Sequence, residues 1–119
     1  ASALLGTADR LGLKVRVDTL EPGVPALGAD LVASTLPPGA ADAVAVRKWR
    51  AEQTVFDVVY APWPTPLARA VLRCGGRVVS GALMLLHQAA VQVALMTGQD
   101  APVGAMRLAL AAAAPDCGV

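Results

Sequence analysis

Between Arg77 and Asp100 the chain carries no Asp, Glu, Lys or Arg. A charge-free stretch of that length is either a membrane span or an element meant for burial. Val78-Val79 opens it as a β-branched pair, Ser80-Gly81 turns the chain, and one helix then runs to about Thr97, stopped by Gly98. Ser80, Gly81, His87, Gln88, Gln92 and Gly98 interrupt the apolar run, which favours a buried helix over a span. Met84, Gln88 and Gln92 stand at i, i+4 and i+8 and share one stripe. A buried amide needs a partner. Gln88 is therefore expected to reach from a packed helix toward a small polar ligand, at the rim where several parallel strands end.

With 119 residues the chain is one domain or part of one. It is 55% hydrophobic and 16% charged, so its core is modest in size but well supplied with small apolar side chains. Net charge is +1 with no basic tract, which argues against a nucleic-acid partner. Arg47, Lys48 and Arg50 form the only cluster and read as the solvated face of a helix. Cys74 and Cys117 form no CxxC pair and no secreted disulfide framework. No basic segment precedes the apolar start, so no signal peptide is read. Without a span or a leader, a cytoplasmic location and no membrane partner are expected.

Apolar residues at Leu4, Leu5, Ala8 and Leu11 predict a first helix ended by Gly12. Lys14 to Val17 alternates polar and apolar as an edge strand does. Glu21 to Gly28 is a loop, Asp30 to Ser34 a strand, and Ala40 to about Trp49 a helix. Thr54 to Tyr60 is the strongest strand, β-branched and nearly continuous, as a central parallel strand should be. Thr65 is a good N-cap with Pro66 at the first helical position, and that helix runs to about Cys74. Gly75-Gly76 turns the chain into strand Arg77 to Ser80. A last Ala-rich helix spans about Pro102 to Ala113. Strands alternating with helices imply an α/β fold: a partial Rossmann-like, doubly wound parallel sheet of about four strands with flanking and C-terminal helices.

In open parallel sheets, ligands bind beyond the carboxyl ends of the strands. Three such ends are legible: Ser34-Thr35-Leu36, Val58-Val59-Tyr60 and Ser80-Gly81 running on to Met84. Gly81 permits close approach of a flat ligand, and Tyr60 sets a phenol at the end of a buried strand. Each residue also fits a purely structural role: turn hydrogen bonds for Ser34 and Thr35, a solvated rim for Tyr60, helix entry for Gly81, core for Met84. His87 has no acidic or thiol neighbour and reads as structural or exposed. No GxGxxG or GxxxxGK[ST] loop, no nucleophile-base pair and no metal-ligand set is present.

The tracts ADLVASTLPPG, VFDVVYAPWPTPL and GGRVVSGALMLLHQAAVQVALMTGQ, in that order and spacing, resemble the C-terminal half of shikimate dehydrogenases, from about Ala29 to Met106. That resemblance implies an NADP-dependent oxidoreductase of the shikimate pathway, converting 3-dehydroshikimate to shikimate. It implies that Tyr60 and Gln88 contact substrate, and that Val58, Gly81 and Met84 line the nicotinamide. It places Ser34, Thr35 and Leu36 near the ribose side of the cofactor. Ser34 stands where Asn is commoner in the family, and Leu83 replaces a frequently polar residue. The catalytic Lys-Asp pair and the glycine loop of the family lie outside this stretch. The chain is thus expected to be a partial domain, with residues 1–80 from the NADP-binding domain and 81–119 as C-terminal helices, and to be inactive alone. A quinate/shikimate relative fits the same tracts.

Two other classes compete. A truncated sheet leaves an edge and an apolar face uncovered, which would make the chain an interaction module or homo-oligomer. A small membrane-associated protein built on the charge-free run is the third reading.

Overall fold

The computed structural model describes residues 2–118. Helix α1 (Ser2–Arg10) is followed by an irregular segment with a short 3-10 turn at Pro25–Gly28. Then come β1 (Leu31–Ser34), α2 (Asp42–Ala45), β2 (Thr54–Asp57), α3 (Pro66–Arg73), β3 (Arg77–Ser80), α4 (Gly81–Thr97) and α5 (Val103–Ala113). The strands form one parallel three-stranded sheet in the order β1-β2-β3. Its last rung aligns Ser34, Asp57 and Ser80, so the three strands end level.

Side chains alternate along a strand. Val32, Val55 and Val78 therefore share a face with Ser34, Asp57 and Ser80. Helices α2 and α3 pack on this face, and the core there joins Leu27, Val44, Trp49, Val55, Leu67 and Val71. Thr65 caps α3 by accepting the Ala68 N–H at 3.0 Å, and Pro66 starts the helix, as expected. Leu67, Ala68 and Val71 are essentially sealed from water; each large side chain among them contributes about 1.5–3 kcal/mol. The opposite face is open at Leu31, Ala33 and Val79. Gly98, with φ of 67°, closes α4 as its position predicts.

Five expectations need correction. Lys14 to Val17 is no strand: it is exposed throughout and lies beside no partner strand, so the sheet has three strands and not about four. The helix expected over Ala40–Trp49 shrinks to one turn, Asp42–Ala45, because its cap Ala41 offers no side-chain acceptor and the chain beyond is pulled inward. Trp49 enters the core, and the Arg47 guanidinium lies 4.7 Å over its ring while donating to the Leu27 carbonyl. Arg47, Lys48 and Arg50 are consequently not one helix face; Arg50 binds the Gly28 carbonyl at 3.1 Å. Strand pairing of β2 stops at Asp57, short of Tyr60, because both neighbours stop on that rung.

The fifth correction concerns α4. It packs against β3 and α5, and only Gly81, Ala82 and Leu86 are buried. Val91, Leu95 and Met96 are exposed, as are Gln88 and Gln92. An all-round apolar helix is buried only where something covers every side, and the described residues supply cover on one side. Among the described residues, no helix is long and apolar enough to cross a membrane.

Candidate functional site

The level strand ends make the carboxyl edge of the sheet the natural site. Ser34, Asp57 and Ser80 form a buried polar row across it. Ser80 accepts the Leu83 N–H at 3.4 Å, capping α4, and donates to the Gly118 carbonyl at 3.0 Å. Asp57 accepts the Thr65 hydroxyl at 2.7 Å and the Val59 N–H at 3.3 Å. Ser34 differs from both: its Oγ is buried without a hydrogen-bond partner among the described residues. A buried hydroxyl left unpaired is costly. The indole N–H of Trp49, lining the same cavity of about 240 Å³, likewise has no partner among the described residues.

One residue beyond the row, the chain opens outward. Thr35, Leu36, Pro37, Pro38, Val58, Val59, Tyr60 and Ala61 line an open cleft of about 440 Å³. Tyr60 is 51% exposed on its rim, and its phenol makes no hydrogen bond among the described residues. Gly81 lies against the end of β2: its N–H reaches the Val59 carbonyl at 3.4 Å. A Cβ on Gly81 would overlap the carbonyl group of Val58. The glycine is therefore required by the backbone of this chain itself, a constraint the sequence reading assigned to an incoming ligand.

The structure thus brings six of the eight sequence-derived candidates to one edge: Ser34, Thr35, Leu36, Val58, Tyr60 and Gly81. Met84 and Gln88 stand one and two turns up α4 and do not line the cleft. Gln88 is exposed, and its amide has no hydrogen-bond partner among the described residues. It is not a buried structural amide. His87 is likewise exposed. Among the described residues, no cluster of His, Cys, Asp or Glu has the makings of a metal site.

Sequence reading missed Asp57 and half of the role of Thr65. A lone carboxylate inside the β-branched run TVFDVVY was the available signal, since such a charge in a central strand must be paired.

Residues 81–110 match the model of the Shikimate 5'-dehydrogenase C-terminal domain. A shikimate dehydrogenase (NADP+) from Geobacter metallireducens is 43% identical over 60 residues, covering 50% of this chain and 21% of that protein. The fold superposes on the crystal structure of Mycobacterium tuberculosis shikimate dehydrogenase with a TM-score of 0.79 and 42% identity, over 95% of this chain and 42% of that one. The chain matches the C-terminal part of the shikimate dehydrogenase family. A quinate dehydrogenase from Corynebacterium glutamicum, solved in complex with NAD, is also similar, at 27% identity and a TM-score of 0.74 over 94% of this chain and 42% of that one. The chain therefore spans well under half the length of the shikimate dehydrogenases it matches.

Proposed function

We propose that this chain is the C-terminal portion of an NADP-dependent shikimate dehydrogenase acting in the cytoplasm, interconverting 3-dehydroshikimate and shikimate. The observation that carries this reading is the 42% identity spread over 95% of the chain, with the same fold, to a shikimate dehydrogenase. The higher identity to that enzyme than to the quinate dehydrogenase, 42% against 27%, favours shikimate as substrate. In this reading residues 1–80 belong to the NADP-binding domain, and residues 81–119 form the C-terminal helices that follow it.

The edge fits such a cofactor on one observation: the unpaired, buried Ser34 Oγ sits at the head of a loop whose next two residues, Thr35 and Leu36, line the open cleft. When bound, NADPH supplies a hydride. Ser34, Thr35 and Leu36 would hold its ribose side, while Val58, Gly81 and Met84 would flank the nicotinamide. Tyr60 and Gln88 would fix the ring hydroxyls of the substrate; both side chains have their polar groups uncommitted. Their contribution is orientation, which supplies a large share of the rate in cofactor enzymes. Among the described residues no general acid-base pair stands at this edge, so the chain alone should not turn over.

The test is an assay of the 119-residue chain and of the full-length gene product with shikimate and NADP+, following NADPH absorbance. Activity in the full-length protein and none in the chain supports the reading. No activity in the full-length protein, or turnover by the chain alone, overturns it.

A second reading, a self-associating interaction module, is favoured by the exposed Leu95, Met96 and Leu108 on α4 and α5 and by the one-sided edge strand β1. The same surfaces would serve as a homo-oligomer contact.

A further inference from the structure

We propose that Asp57 and Thr65 form a latch that positions Tyr60 for substrate, making both of them positioning residues of the oxidoreductase proposed above, on which this inference rests. Asp57 ends β2 and is 1% exposed. Its two carboxylate oxygens divide their work. Oδ2 accepts the Thr65 hydroxyl at 2.7 Å, and Oδ1 accepts the Val59 N–H at 3.3 Å. Thr65 in turn accepts the Ala68 N–H at 3.0 Å, so the carboxylate is joined through one hydroxyl to the first turn of α3. A short, charge-assisted bond of this kind is among the stronger hydrogen bonds a protein makes. The amino end of α3 also carries partial positive charge, which favours a carboxylate near it.

The segment between the two residues is Val58 to Pro64, and it bears Val58 and Tyr60. That segment leaves the sheet at Asp57 and re-enters helical structure at Pro66. Main-chain bonds hold its first two residues, the Val58 N–H to the Ser34 carbonyl at 3.0 Å and the Gly81 N–H to the Val59 carbonyl at 3.4 Å, and Arg69 contacts the Pro64 carbonyl; among the described residues no hydrogen bond holds Tyr60 to Trp63 directly. The latch therefore pins both ends of the segment to each other and one interior N–H to the anchor. Tyr60 lies one residue beyond that pinned N–H and is otherwise half in solvent. Releasing the latch leaves the rim phenol free to sample other positions, which weakens substrate binding before it affects anything held by β1.

The experiment is steady-state kinetics on the full-length enzyme with Thr65→Val, Thr65→Ser, Tyr60→Phe and the Thr65→Val/Tyr60→Phe double variant. Thr65→Val and Tyr60→Phe are each expected to raise the KM for shikimate about tenfold, the loss of one good hydrogen bond. KM for NADP+ should move less than about twofold, and Thr65→Ser should restore the wild-type value. Because the latch acts through Tyr60, the double variant should be no worse than Tyr60→Phe alone, within about twofold. Multiplying effects, or a KM for shikimate unchanged by Thr65→Val, overturns the latch while leaving the shikimate reading intact. Absence of turnover in the wild-type enzyme overturns both. Should Thr65→Val not fold, Thr65→Ala, which also removes the donating hydroxyl, gives the same two-way result alone and with Tyr60→Phe.

Discussion

A side chain at Gly81, the first residue of α4, would strike the carbonyl group of Val58, the residue that follows the last rung of β2. The start of the long helix and the end of the central strand are thus in backbone contact. Gly81→Ala must move one of them. Because the obstacle is main chain and not a flexible side-chain tip, we expect a loss of about 3 kcal/mol or more, at the upper end of overpacking penalties. Urea denaturation of the purified chain measures it. A loss under about 1 kcal/mol would show that the two elements can part freely.

Gln88→Ala should behave in the opposite way. The side chain is exposed and has no hydrogen-bond partner among the described residues, so its removal should leave the melting temperature within about 2 °C of wild type, in the range of ordinary surface substitutions. In the full-length enzyme it should raise KM for shikimate and lower kcat, costing about 1–2 kcal/mol in kcat/KM. Thermal melting and steady-state kinetics together decide the matter. Unfolding without a kinetic defect would make Gln88 a structural amide.

Gln53 should be the most sensitive polar residue in the fold. It is fully buried, and its amide donates to the carbonyls of Leu27 at 3.0 Å and Ala29 at 2.7 Å, while its Oε1 accepts the Arg50 N–H at 3.1 Å. Gln53→Ala removes three hydrogen bonds, leaves the Ala29 carbonyl and the Arg50 N–H without that partner while Arg47 still serves the Leu27 carbonyl, and opens a cavity. A destabilisation of about 3–4 kcal/mol is expected, read from the shift in denaturation midpoint. Gln53→Glu should also destabilise, because a carboxylate facing two carbonyls cannot donate.

The uncovered faces of α4 and α5 carry their own prediction. Leu95 is 81% exposed, Met96 85% and Leu108 74%. The 119-residue chain should self-associate as its concentration rises, and Leu95→Glu with Leu108→Glu should suppress this. Light scattering across a dilution series measures the outcome, and a clean monomer at high concentration would count against the apolar contact.

Much of this fold could be read from local signals. Thr65-Pro66 and Gly98 act through their own backbone neighbours, so their meaning survives without knowledge of the fold. Lys14 to Val17 failed because alternation describes one strand while a sheet needs two. Burial of α4 failed for a related reason: apolar character says that a surface seeks cover, not what supplies it. At the site, the residues following each strand were legible because topology sends parallel strand ends to one edge. The Asp57–Thr65 bond was not, since it depends on how the excursion from Val58 to Pro64 returns. Nor was the true reason for Gly81, because the atom that excludes a side chain there comes from another strand.

The level row of Ser34, Asp57 and Ser80 has a consequence for how such an edge can diversify. Each of the three ends a strand whose neighbours end on the same rung, so none can advance or retreat by a residue without breaking step with the others. Novelty is thereby channelled into the positions just past them, at Thr35, Val58 and Gly81. Of these, Gly81 is closed by the Val58 carbonyl. Changes of ligand taste should accumulate along the Thr35 and Val58 loops, while the strands beneath stay as they are.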